Sequence, residues 1–322
     1  MEGRSHLTSS TLNGENALPG VCYRLAADRI NLNYVTHMAD IGNGDSATAL
    51  CTENADSFSS YFLLKVDRES VVKLESDMSI LSIFPHDQKP HVPGALMELL
   101  AKENIRVQGF ASSPSAMSVL VSSMDTGTVI DGLFDAFEFP TYHSPYDWHA
   151  AYKGKEQVLK EIICSYQEPV IKVYNILQQP DLDLWSLAVP HSRLDGLGTA
   201  MKALDGMGIK LPFLVAHPGR QDTLLCAFCF AGAHCEQVGE ILAHHLPEVK
   251  PVHRTNMVAI SLHGPHFGDR YGITNSLVGA LHSEAIRPMA MSCAISSISV
   301  VVRAEDLESA MRGLNTSFQV PG

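Results

Sequence analysis

A recurring order of elements limits what these 322 residues can fold into. The last copy is the plainest. Met257 to Gly264, "MVAISLHG", is a short β-rich run. "ITNSLVGALHSEA" then places Ile273, Leu277, Val278 and Leu281 on one helical face. Two more β-rich runs follow, "IRPMAMS" and "SSISVVVRA". A helix with Leu307, Met311 and Leu314 on one face comes next, and "SFQV" closes the unit. This β-α-β-β-α-β order is the ferredoxin-like arrangement.

The order predicts a second copy from "MSILSIFPHDQ" and "PGALMELLAKEN" to "TGTVIDGLFDAF". A third runs from "DLWSLAVPHSR" to "EQVGEILAHHL". A fourth sits at the start of the chain, with helices at "PGVCYRLAADR" and "ADSFSSYFLLK" and a weak opening strand at "HLTSSTL". Three copies place Pro-His just after the first strand, at Pro85-His86, Pro190-His191 and Pro265-His266. From each His to the Ile that opens the next strand there are 19, 18 and 20 residues. The expected class is therefore α+β: four tandem ferredoxin-like units, antiparallel sheets with helices on one face. Their bounds are 1–76, 77–140, 169–252 and 253–322, with a structured connector at 141–168.

Apolar residues make up 45% of the chain and charged residues 18%, which is ample core material. The formal charge is −12, and no Lys/Arg run is dense enough to track a phosphate backbone, so nucleic acid is not an expected partner. No apolar leader or membrane-length run is visible, and the seven cysteines lie mostly in apolar segments. Both features lead to an expected cytoplasmic location. Cys226 and Cys229 fall three apart on a strand, hence on opposite faces, which argues against a shared metal. The histidines show no ligand spacing, so neither a metal nor a cofactor is expected. "HGPHFGDRYG" matches neither phosphate-loop pattern.

The segment "SSISVVVRAEDLESAMRGL", with the glycine loop and helix before it, resembles the regulatory ACT domain of aspartokinases. "SILSIF…VPGALMELLAKENIRVQGFASSPSAMSVLV" is similar to the same plan. The resemblance implies a small amino acid bound where the loop after strand one meets helix one. In the last copy the residues it points to are His266, Phe267, Gly268, Asp269, Arg270, Tyr271, Gly272 and Ile273, with Ser292 on the next strand. In the second copy they are His86, Asp87, Gln88, Val92, Pro93 and Gly94. The physics suits such a ligand: helix N-termini offer unpaired N–H groups to a carboxylate, and glycine admits close approach. An acid such as Asp269 or Asp87 can hold the ammonium.

Two readings stay open for each loop. Either it binds an amino acid, or the glycines serve a tight turn and the unit is a ligand-free scaffold for protein association. The repeated His either touches a ligand or caps its loop. The Lys-Phe-Gly-Gly motif of the aspartokinase catalytic domain is not found in the sequence. The resemblance thus implies a non-enzymatic sensor that acts on a partner enzyme of amino-acid metabolism, and sheet edges are expected to pair within the chain, with a homodimer as a further option.

Overall fold

The computed structural model describes residues 2–13, 17–39, 46–53, 71–152, 171–219, 222–264, 270–294 and 297–320. β1 (Glu2–Asn13) leads to α1 (Ala17–Ala27), β2 (Tyr34–Met38) and β3 (Ala47–Glu53). The strand–helix–strand–strand order returns in β4 (Val71–Ile83), α2 (His91–Lys102), β5 (Gly109–Ser112) and β6 (Met117–Ser122), followed by α3 (Thr126–Ala136). The connector holds α4 (Pro145–Tyr152), and β7 (Ile171–Lys172) comes just after it. The third round is β8 (Asn175–Pro190), α5 (Leu194–Gly206), β9 (Phe213–Pro218), β10 (Thr223–Ala231) and α6 (Cys235–His245). The fourth is β11 (Val252–His263), α7 (Ile273–Ser283), β12 (Ala290–Ala294), β13 (Ser297–Arg303) and α8 (Leu307–Ser317). β14 (Phe318–Gln319) then pairs in parallel with β7. The helices expected at "ADSFSSYFLLK" and "KEQVLKEIIC" lie outside the described residues.

The sequence pattern led to four antiparallel sheets pairing edge to edge. The strands form one sheet closed on itself, in the order β1-β3-β2-β12-β13-β11-β8-β10-β9-β5-β6-β4 and back to β1. Two kinds of junction close it. The long strands β1 and β4 run antiparallel, as do β8 and β11, so each long strand serves the sheet of two neighbouring rounds. The expected boundary at 76/77 therefore falls inside β4, and that at 252/253 inside β11. The short middle strands pair across rounds, β2 with β12 and β5 with β9.

Both long pairings shift register midway, between Arg4 and Ser9 and between Arg254 and Ala259. Asp77, Asp181 and Asn256 sit at these shifts with φ of 57°, 58° and 58°. Asp and Asn tolerate this left-handed backbone better than most residues, and a bulge there lets the strand turn from one round into the next.

Alternation along each strand separates two environments. Phe213 and Val215 of β9 face the barrel interior with Leu182, Leu184, Met257 and Val301. Leu214 and Ala216 face the helices outside. Cys226 packs on the helix side and Cys229 inside, so the two thiols do face apart as their spacing requires. The helices cover the barrel in two groups. α2 packs on α5, and α1 packs on α7. At the first crossing Gly94 and Gly198 face each other: a Cβ on Gly94 would lie 2.8 Å from the Gly198 carbonyl oxygen, and one on Gly198 2.7 Å from that of Gly94. No described helix is long and apolar enough to cross a membrane.

Two histidines are sealed within the protein. Burial, with the neighbouring charges of His217 and Arg287, pushes the His37 imidazole down to about 3. Burial alone pushes His217 down to about 4. Nδ1 of His37 lies 2.8 Å from the Thr48 hydroxyl, whereas neither ring nitrogen of His217 has a hydrogen-bond partner among the described residues.

Two outcomes are expected. Gly94→Val or Gly198→Val should cost about 1–3 kcal/mol by overpacking a backbone contact, read as a lower urea midpoint. Gly127→Ala, where a Cβ meets nothing within 4 Å, should leave the midpoint unchanged or raise it. Stability should also fall with acid. Both folded-state values lie below the ordinary 6.5, so the unfolded chain binds more protons between pH 6.5 and about 4. The stabilisation is complete above pH 6.5 and is lost as pH falls through this window, by roughly 2 kcal/mol per histidine at pH 5. Urea titrations from pH 7 to 5 should show this slope, and His217→Leu should flatten it.

Candidate functional site

Each round turns a corner where its first strand ends and its first helix begins, and the corners differ. Among the described residues, a cleft lies beside the start of α7, between the fourth and first rounds. Its walls are Arg270, Gly272, Ile273, Thr274 and Asn275 on one side and Cys22, Ala26, Ile30 and Leu32 on the other. The cleft is shallow: its enclosed space is about 10 Å³, room for about one water, and the rest opens to solvent. Gly272 caps α7 with φ 86°, a left-handed conformation that any side chain would strain. The first intrahelical bond recorded here runs from the Ser276 N–H to the Gly272 carbonyl (2.9 Å). The first N–H groups of any helix lack intrahelical partners, so the start of α7 beside Arg270 is a polar rim suited to an anion. The opposite wall is mostly apolar. Burial holds the Cys22 thiol up at about 12, so it stays protonated as part of that wall.

His266, Phe267, Gly268 and Asp269 lie outside the described residues. Arg270, Gly272 and Ile273 line the cleft at the start of α7, and Tyr271, between them in the chain, is not among its walls. Ser292 is elsewhere: it is fully buried on β12 and donates to the Ser112 carbonyl (2.6 Å). The Ser112 hydroxyl in turn accepts from the Leu214 N–H (2.6 Å). These bonds stitch the middle strands of three rounds together inside the barrel.

The corner before α2 is filled from within. His86 is buried, and its Nε2 donates to the Ser113 carbonyl (2.6 Å), with burial lowering its pKa. Asp87 and Gln88 adopt left-handed φ of 52° and 56°. The Gln88 carbonyl accepts from the Leu211 N–H (2.8 Å) of the third round. Val92 is buried, Pro93 lies in the same covered turn, and Gly94 makes the crossing with Gly198. The corner before α5 is also tied across rounds. His191 lies with Nδ1 3.0 Å from the Asp222 carbonyl and Nε2 3.3 Å from the Val107 carbonyl. Both described members of the Pro-His repeat thus bond to loop carbonyls.

One cluster escaped the sequence reading, which found no ligand spacing around His253. Folding brings Asp183 of β8 and Cys235 of α6 to it: His253 Nε2 lies 2.8 Å from Asp183 Oδ2 and 3.8 Å from Cys235 Sγ. Separations of 70 and 18 residues leave no local spacing to read.

No family model matches the chain, and no curated protein matches it in sequence. Among solved structures, aspartate kinase from Synechocystis is similar over 100% of this chain, at 14% identity and a TM-score of 0.80. The chain spans 57% of that protein's length. The regulatory subunit of aspartate kinase from Thermus thermophilus, in a ligand-free form, is 19% identical and covers 46% of this chain and 99% of its own. Its TM-score of 0.41 is too low an overlap for structural inference. At 14% identity the first likeness establishes the fold. It also overturns the expectation that the chain is not an enzyme: the structure that accounts for its whole length is that of an enzyme, and a missing kinase motif in a stretch matching 57% of it is no ground for a non-catalytic protein.

Proposed function

We propose that the chain is an amino-acid-sensing, allosteric body of the aspartokinase type, built from four ferredoxin-like ACT units. The effector site is the cleft before α7. The observation that carries this reading is the contrast between corners. Among the described residues, those before α2 and α5 are closed by bonds from the neighbouring round, whereas a shallow cleft stands beside the start of α7 with Arg270 on one wall. In this reading the effector carboxylate meets the N–H groups at the start of α7 and the Arg270 guanidinium. The apolar wall of Ala26, Ile30 and Leu32 limits the side chain to one that is small or extended. The full-length fold likeness to aspartate kinase supports the class. Because the cleft lies between the first and fourth rounds, a ligand there stiffens the β2–β12 junction behind it, which is a physical route for allostery.

A thermal-shift screen of the twenty amino acids tests this. One of them at 100-fold its Kd should stabilise the protein by about 2.7 kcal/mol. Arg270→Ala and Gly272→Val should abolish the shift, and Asp87→Ala should retain it. If no amino acid raises the midpoint, the sensing role is lost and the ligand-free scaffold reading takes its place.

A further inference from the structure

We infer that Asp183, Cys235 and His253 form a binding site for a divalent cation of the zinc class. Three ligand atoms of different chemistry converge at the joint between the third and fourth rounds: a carboxylate oxygen, a thiol sulfur and an imidazole nitrogen, all within 4.8 Å of one another. Three residues from three separate elements supply them, and the residues around them hold the arrangement. The Trp185 ring stacks on the His253 imidazole, with centroids 4.2 Å apart and planes 20° from parallel. His253 and Trp185 are direct partners across the β8–β11 ladder. Gly232, just before α6, leaves the space that the Asp183 carboxylate occupies: a Cβ there would lie 3.2 Å from Oδ1.

The geometry discriminates among the roles such a trio can play. In a nucleophilic relay the two ring nitrogens serve different partners, one toward the thiol and one toward the carboxylate. Here the same nitrogen, Nε2, faces both the Asp183 oxygen and the Cys235 sulfur. That is the arrangement of ligands around a common centre. Zinc takes sulfur at about 2.3 Å and nitrogen or oxygen at about 2.0–2.2 Å, tetrahedrally. In such a shell the nitrogen and oxygen stand slightly further apart than the present 2.8 Å and the sulfur and nitrogen slightly closer than 3.8 Å. Small side-chain rotations supply both changes. Sulfur and imidazole donors select against magnesium and calcium, which take oxygen shells. His253 and Cys235 are only partly covered, so solvent can fill the fourth position. On binding, the Cys235 thiol proton and the proton that Nε2 shares with Asp183 are given up, and the imidazole is left neutral with its proton on Nδ1. The ion then pins the start of α6 to β8 and β11, across the joint between rounds.

Cobalt(II), a spectroscopic stand-in for zinc, tests the site on the purified full chain after chelator treatment. One equivalent should bind with a thiolate-to-cobalt charge-transfer band. Cys235→Ala should lose the band, and Cys226→Ala, changed at a thiol facing the helices, should keep it. His253→Ala and Asp183→Asn should weaken affinity by at least the roughly 10–100-fold that even outer-shell partners command. Alkylation of the unmutated protein, mapped by mass spectrometry, gives a readout free of folding effects: zinc should slow labelling of Cys235. The inference is overturned if cobalt fails to bind, if it binds without a thiolate band, if the band survives Cys235→Ala, or if zinc leaves the Cys235 labelling rate unchanged.

Discussion

Unpaired strand edges are the constraint on which the rest of this molecule depends. A round of three strands exposes a row of N–H and C=O groups on each side, and those groups need partners. Here four rounds satisfy one another in a ring. The long pairs β1–β4 and β8–β11 join rounds along their first strands, and the short pairs β2–β12 and β5–β9 join them along their middle strands. Closure places half of each strand's side chains inside, which explains the cluster of Phe213, Val215, Leu184 and Met257 within the barrel. It also explains why the Ser292 hydroxyl bonds to β5 and the Ser112 hydroxyl to β9.

The ring also sets what the outer layer can do. Because β5 pairs with β9, α2 and α5 must cross close together, and facing glycines at 94 and 198 are the residues that allow it. Because β2 pairs with β12, α1 and α7 lie side by side, and the corner before α7 meets the first round. The two halves have the same plan but different fillings. At the α2–α5 pair, Gln88 and His191 reach into the neighbouring round. At the α1–α7 pair, the cleft beside Gly272 persists among the described residues.

Much of the candidate site was legible as chemistry and little of it as placement. Arg270, Gly272 and Ile273 stand at a helix start, as a glycine loop followed by an apolar period indicates. That Ser292 turns inward and Gly94 packs on a helix was not legible, because each depends on a partner about a hundred or more residues away. A signal for the strand joints was present and easily passed over. Asp77, Asp181 and Asn256 each precede a Met or Leu at the same point of a long strand, and an Asp or Asn there marks a left-handed bulge.

By itself the sequence determined the repeat, the order of strands and helices within it and the opposed faces of Cys226 and Cys229. Local periodicity and short-range turn chemistry dictate all three. The tertiary structure decided how the edges are used up, that Gln88 and His191 tie two corners to neighbouring rounds, and that Asp183, Cys235 and His253 meet. Those outcomes follow from pairing between distant strands, which binary patterning leaves open because an edge strand reads the same whichever partner it finds.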